Sequence, residues 1–190
     1  MANIIFDLDD TLFDTQKLKR DIFSRLASYD IDLSKIEKTY HDALDEKENY
    51  SFRDHVKILQ KMHNLDVSEK MHEWLHSLDY GSYILPETKK LLVKLAPKNN
   101  LILITKGNLD FQNTKIKKSK IAEYFDEVYI IEGKKEKFLK EKRWAGPIYF
   151  INDKEKENKK IKEEFPRITV IQNKKGGCRI DSLPSDIFDA

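Results

Sequence analysis

The sequence predicts an α/β fold, a parallel sheet with a helical segment inserted after its first strand, and three observations carry that expectation. An apolar run at residues 3–8 opens the chain and gives way to four carboxylates, Asp7, Asp9, Asp10 and Asp14, within eight positions. Apolar residues then recur at helix spacing across residues 15–80, and after Pro97 short β-branched runs alternate with polar helical stretches.

Taken in order, residues 3–8 are rich in Ile, Phe and Leu and read as a strand buried on both faces. The first helix follows from Leu18, Ile22, Leu26 and Tyr29. A second is expected from Ser34, where Ser-Lys-Ile-Glu has the form of a capping box ahead of Ile36, Tyr40 and Leu44. The third should begin near Ser51, with Val56, Leu59 and Met62 as its apolar stripe, and the fourth near Ser68, with Met71, Trp74, Leu75 and Leu78. Residues 81–86 form a return linker, and Pro86 sits in the first turn of a helix through Leu91, Leu92 and Leu95. Strands are then expected at residues 101–105, 127–131, 147–153 and 168–171, with a helix over 136–143 between the second and third of these. Five strands joined by helical crossovers make a parallel sheet covered on both faces. The expected organisation is a core of residues 1–13 and 82–175, a helical insertion at 14–81, and a tail at 176–190 whose fold is not readable.

Composition sets outer bounds. Of 190 residues, 35 are Lys or Arg and 33 are Asp or Glu, a net charge near +2, so no global field points to nucleic acid or an anionic membrane as partner. The lysine-rich runs at 115–120, 134–143 and 154–162 lack interleaved aromatics and read as solvated helix faces, as do His41, His55 and His63. The single cysteine, Cys178, suits a reducing cytoplasm and reads as a spectator thiol. No apolar run approaches the ~20 residues that span a bilayer. The expectation is a soluble, cytoplasmic protein.

Chemistry gathers where strands end. Asp7 and Asp9 follow the first strand, Thr105 closes the strand at 101–105, and Asp153 closes the one at 147–153. In an open parallel sheet these carboxyl ends line the ligand crevice. Carboxylates from two strands and one backbone carbonyl suit magnesium, a hard ion that keeps several waters. A hydroxyl beside a Lys-Gly turn at a helix start, Thr105-Lys106-Gly107, offers donors to a phosphate. Lys134 and Lys135 lie where a balancing cation would be needed.

The Asp-Leu-Asp-Asp-Thr-Leu run at residues 7–12, the strand ending in Thr105, a lysine at 134 or 135, and Asp153 followed by Glu157 resemble, in order, the four motifs of the haloacid dehalogenase superfamily. The helical stretch at 14–81 is similar to that family's small α-helical cap. The resemblance implies a Rossmann-like sheet in the order 3-2-1-4-5, and it implies roles. Asp7 would be the nucleophile forming an aspartyl phosphate, Asp9 the general acid and base, Thr105 the phosphate holder, and Lys135, with Lys134 as alternative, the neutralising cation. Thr11, Lys106, Gly107 and Lys134 are further phosphate-binding candidates. Magnesium would be held by Asp7, the Asp9 carbonyl and Asp153, with Glu157 in the same cluster. The implied activity is hydrolysis of a small phosphorylated metabolite. A sugar phosphomutase or a non-catalytic phospholigand-binding protein is the alternative. Retention of an acid at Asp9 argues against carbon–halogen hydrolysis, since the family's dehalogenases lack it. Two positions depart from the pattern: Asn152 stands where a glycine is usual and Glu157 where a second Asp is common.

A second motif competes. Residues 72–76, His-Glu-Trp-Leu-His, match the zinc-protease pattern, but no histidine follows His76 to supply a third ligand, and Trp74 and Leu75 fit a helix's apolar face. Lys17, Arg20, Tyr50 and Arg53 are polar groups of the insertion available to face a substrate.

Overall fold

Alternation within the first strand decides how the sheet is covered. In the computed structural model, which describes residues 1–64, 68–173 and 183–188, β1 (Asn3–Phe6) has Ile4 and Phe6 in one apolar cluster and Ile5 in another. All three are fully inaccessible to solvent, and each such burial contributes about 1.5–3 kcal/mol. β1 is therefore firmly held, and it is central. It pairs in parallel with β2 (Asn100–Lys106) on one side and β4 (Ile148–Asn152) on the other, with Asn3 level with Asn100 and Ile148. β3 (Glu127–Ile131) and β5 (Ile168–Gln172) complete the parallel sheet in the order β3-β2-β1-β4-β5.

Helices cover both faces. The Ile4 and Phe6 side packs on Leu91, Leu92 and Leu95 of α5 (Thr88–Leu95) and Ile116 of α6 (Leu109–Lys118), with Leu183 and Ile187 from the chain's end. The Ile5 side packs on Leu139 of α7 (Lys135–Glu141) and Ile161 of α8 (Glu155–Glu164). Expected and observed strands agree to within a residue or two at each end. The tail expected at 176–190 lies outside the described residues except for 183–188, and Cys178 falls outside them. No described helix is long and apolar enough to cross a membrane.

Four helices stand between β1 and α5: α1 (Thr15–Ala27), α2 (Leu33–Asp42), α3 (Phe52–His63) and α4 (Ser68–Ser77). The outgoing and returning chains are tied together, because Asp14 N donates to the Tyr83 carbonyl at 2.7 Å and Leu85 N to the Leu12 carbonyl at 2.9 Å. The rings of Phe13 and Tyr83 stack beside this pair, centroids 5.6 Å apart. Asp14 caps α1 by accepting from Lys17 N at 2.7 Å, and Ser51 caps α3, which begins next to Ser51 as expected. The expected capping box at Ser34 is corrected. Asp32 is the cap of α2, accepting from Ser34 N at 2.8 Å and from the Ser34 hydroxyl, so the helix starts one residue earlier.

His55 is also corrected: it is fully buried rather than on the helix surface. Its Nε2 lies 3.1 Å from the Ile36 carbonyl, which can only accept, so that nitrogen carries the proton and also reaches Thr39 Oγ1 at 3.0 Å. Nδ1 is then left to accept from the Tyr50 hydroxyl at 2.9 Å. Burial outweighs the Ile36 bond and lowers His55 from its ordinary 6.5 to about 4. A lowered folded value gives stability that is complete above pH 6.5 and is lost as pH falls toward 4, by up to about 3 kcal/mol. Urea unfolding at pH 7.5 and 4.5 should accordingly show wild type losing about 2–3 kcal/mol more over that interval than His55→Asn.

Candidate active site

β1 runs straight into the site. Asp7 N still donates to the Ile151 carbonyl at 3.0 Å, and the chain then folds over itself as the Leu8 carbonyl receives Leu12 N at 2.9 Å and Phe13 N at 3.0 Å. Asp10 takes the left-handed conformation at φ 57°, which a short polar side chain tolerates, and its carboxylate holds Gln16. Asp7 continues the parity of Ile5, so it faces the side of the sheet covered by α7 and α8.

From α7 comes Lys135. Its Nζ lies 2.8 Å from Asp7 Oδ1, and the two side chains are 1% and 2% exposed. The second carboxylate oxygen, Asp7 Oδ2, is buried without a hydrogen-bond partner. Burial raises Asp7 above the ordinary carboxylate value, Lys135 opposes that, and Asp9 adds to it. Burial would lower Lys135, but Asp7 and Glu157 outweigh it and hold the ammonium above its usual value. Lys134 precedes α7 as an exposed residue, so of the two candidate lysines only Lys135 reaches Asp7. Thr105, at the end of the neighbouring strand β2, is fully buried, and its hydroxyl also has no partner. Lys106 closes β2, and Gly107 follows in the turn to α6.

On the other flank, Asp153 N donates to Thr11 Oγ1 at 3.1 Å, and that hydroxyl lies 3.5 Å from Asp153 Oδ1. Thr11 is thus placed on Asp153. Burial, with Asp7 adding to it, raises Asp153 to about 6. Glu157 reaches Lys135, with Oε2 3.1 Å from its Nζ and 3.2 Å from Asn152 Nδ2. Burial of Glu157 is outweighed by Lys135, so its value is lowered. Asn152, at the position where the resembled motif has glycine, is fully buried and joined to Asn158 in both directions at 3.0 Å. Asn158 also donates to Gln172 Oε1 at 2.6 Å, so the unusual residue links β4, α8 and β5.

The sequence reading missed how Asp9 is held. Its Oδ1 accepts from Lys115 Nζ at 2.6 Å and from the Thr15 hydroxyl, and its Oδ2 accepts from Gln112 Nε2 at 2.7 Å. Burial of Asp9 is outweighed by Lys115, which takes it down to about 2. Lys115 is 2% exposed, which corrects its assignment to a solvated lysine face. The signal was helical spacing: Gln112, Lys115 and Ile116 are the buried side of α6, continued by Ser119 at its C-cap. Gly107 makes room for this arrangement, since a Cβ there would lie 2.6 Å from Gln112 Nε2.

A cleft of about 740 Å³ between α3, α4 and α6 is lined by none of these residues. Both histidines of the zinc-like motif border it, with His72 Nδ1 bonded to the Ser68 carbonyl at 2.7 Å. Among the described residues no three His, Cys, Asp or Glu side chains form a metal-holding group. Of the polar residues expected to face a substrate, Lys17 reaches instead to the Ser82 carbonyl at 3.4 Å and over the Tyr83 ring.

Residues 4–141 match the family of haloacid dehalogenase-like hydrolases. The chain belongs to that family. The match ends before Asp153 and Glu157. No curated protein sequence is similar enough to count as a relative. Solved structures share the fold of this family member. A Burkholderia xenovorans protein provisionally named a haloacid dehalogenase-like hydrolase superposes with a TM-score of 0.77 at 16% identity, covering 92% of this chain and 83% of its own. A Thermotoga maritima protein provisionally named a β-phosphoglucomutase gives 0.59 at 17%, covering 100% and 97%. The L-2-haloacid dehalogenase of Xanthobacter autotrophicus gives 0.57 at 16%, covering 90% and 76%.

The ion pair on Asp9 has a measurable weight. Lys115→Met should destabilise the protein by about 2–3 kcal/mol, below the usual range for a fully buried pair because Asp9 is 18% exposed. Combined with Asp9→Asn it should cost less than the sum of the two, and thermal unfolding of the four proteins should give a coupling of about 1 kcal/mol or more.

Proposed function

We propose that this hydrolase cleaves the phosphate ester of a small metabolite through an aspartyl phosphate on Asp7, with magnesium as cofactor. One observation carries the reading. Asp7 has one carboxylate oxygen neutralised by a buried lysine and the other buried and unbonded, beside a strand that ends in a buried, unbonded threonine hydroxyl. A desolvated oxygen attacks phosphorus more readily than a hydrated one, and the Lys135 ammonium offsets charge as it gathers on the phosphoryl group. Thr105 would bond a phosphoryl oxygen, with Lys106 and Gly107 at the same strand end.

The donor set fits magnesium. Asp7 Oδ2 lacks a partner, and Asp153 is raised by burial and by Asp7, the state of two carboxylates awaiting a cation. Asp7, Asp153 and the Asp9 carbonyl would hold it, and when bound it would draw charge from the phosphoryl oxygens. Glu157 fits a different part: it fixes Lys135 through its ion pair. Asp9 is held ionised by Lys115, Thr15 and Gln112, the form that takes a proton from water in the second half-reaction. Protonating the leaving oxygen in the first half requires it to let go of Lys115. Helices α1–α4 would serve as the cap that encloses the substrate, as residues 14–81 of the expected organisation.

The test is hydrolysis of p-nitrophenyl phosphate and an alkyl phosphate, with and without magnesium. Asp7→Asn should bring both to background. Asp9→Asn should lower alkyl ester turnover by about 10²–10⁴-fold and the nitrophenyl ester less, because nitrophenolate leaves without a proton. Turnover that survives both substitutions, or that ignores magnesium, would sink the mechanism.

A further inference from the structure

Of the three groups that hold Asp9, Gln112 is placed differently from the other two. Lys115 Nζ and the Thr15 hydroxyl both meet Oδ1, whereas Gln112 Nε2 meets Oδ2, at 2.7 Å. The same nitrogen donates to the Lys106 carbonyl at 3.1 Å, where β2 ends one residue beyond Thr105. One amide therefore joins the acid to the strand end at which the phosphoryl group would be held.

That amide has a single workable orientation. Its two neighbours, a carboxylate and a backbone carbonyl, can only accept, so the nitrogen with its two hydrogens must face them. Gln112 Oε1 is buried without a hydrogen-bond partner among the described residues, so the two bonds of Nε2 are what orient the side chain. The residue is buried and belongs to the first turn of α6, which Asn108 fixes: Asn108 Oδ1 accepts from Phe111 N at 3.1 Å and its carbonyl from Gln112 N at 2.9 Å. Gly107 keeps the space clear, since a Cβ there would also lie 3.0 Å from Gln112 Cγ.

The division of labour between the two oxygens matters when Asp9 hands over a proton. An oxygen against an ammonium is a poor place for that proton, so Oδ1 must first leave Lys115. The bond from Gln112 need not break. A neutral amide donates to the carbonyl oxygen of a carboxylic acid as it does to a carboxylate. Asp9 can thus change partners on one oxygen while the other stays tied to the end of β2.

Resting on the phosphatase reading above, we infer that Gln112 is a positioning residue for the first half-reaction: it anchors Asp9 Oδ2 to the Lys106 carbonyl and so keeps Oδ1 aimed at the leaving oxygen. In that step the bond from Asp7 to phosphorus forms, the bond from phosphorus to the leaving oxygen breaks, and the proton passes from Asp9 Oδ1 to that oxygen.

Phenyl and p-nitrophenyl phosphate test this, being close in shape while phenolate needs the proton far more than nitrophenolate does. Only steps through loss of the leaving group enter kcat/KM, so the second half-reaction drops out of the comparison. With the full chain and magnesium, Gln112→Met, of similar length but without a donor, should lower kcat/KM for phenyl phosphate by about five-fold or more. The nitrophenyl ester should lose by a clearly smaller factor. Equal losses would mark a merely structural role and overturn the inference, as would no loss at all. A wild type that uses the nitrophenyl ester alone has no working acid for Gln112 to aim, and overturns it too. Should Gln112→Met fail to fold by circular dichroism, Gln112→Asn, one methylene short of reaching Asp9, is read in its place with the same expected ratio. Where both esters are hydrolysed through Asp7 and the ratio does not move, this inference fails by itself. If neither ester is hydrolysed, the phosphatase reading fails and takes the inference with it.

Discussion

A carboxylate and an ammonium buried together at the centre of the sheet constrain much of this molecule. Taking an ion out of water costs several kcal/mol, and the Asp7–Lys135 pair recovers that only if its geometry is held closely. The requirement reaches outward. β1 must end where α7 begins, α7 must start at its lysine, and α8 must bring Glu157 to the same ammonium. The stem of Lys135 also passes near the Phe150 ring, whose centroid is 5.8 Å from Nζ, so the cation is seated in the apolar cluster beneath the sheet.

Two acids two residues apart would repel each other if they shared one environment. Here each has its own cation. Asp7 keeps the parity of Ile5 and meets Lys135 from α7, while Asp9, past the end of the strand, meets Lys115 from α6 on the opposite face. The consequence appears in their electrostatics: Asp7 is raised and Asp9 lowered. Divergent environments of this kind let one of two neighbouring carboxylates act as nucleophile and the other exchange protons.

The parts legible in the sequence were those written in local pattern. Strand runs such as Leu-Ile-Leu-Ile before Thr105, and helix-spaced apolar residues such as Leu18, Ile22 and Leu26, point to their elements without knowledge of the rest. Asp7, Asp9, Thr105 and Asp153 could be singled out because strand ends are where a parallel sheet opens to ligands. Lys115 and His55 were not legible. Each resembles a surface residue by type, and each is buried by a partner far away in sequence, Asp9 for the one and Ile36 with Tyr50 for the other. The role of Asn152 was hidden for the same reason. Its neighbours Asn158 and Gln172 lie on different elements, so what reads as a lost glycine is a junction among three of them.

The paired backbone of Leu12–Asp14 with Tyr83–Leu85 has a consequence for how such a chain can change. The two crossings are hydrogen-bonded to each other, so the ends of everything between them are fixed a few ångströms apart, whatever that intervening chain contains. No residue of 16–82 takes part in the strand pairing, and the entropy cost of a longer loop between fixed ends grows only slowly with its length. Sequence drift can accumulate there at little expense to the sheet. The residues that assemble charge at the strand ends and those of α2, α3 and α4 can thus vary on separate schedules.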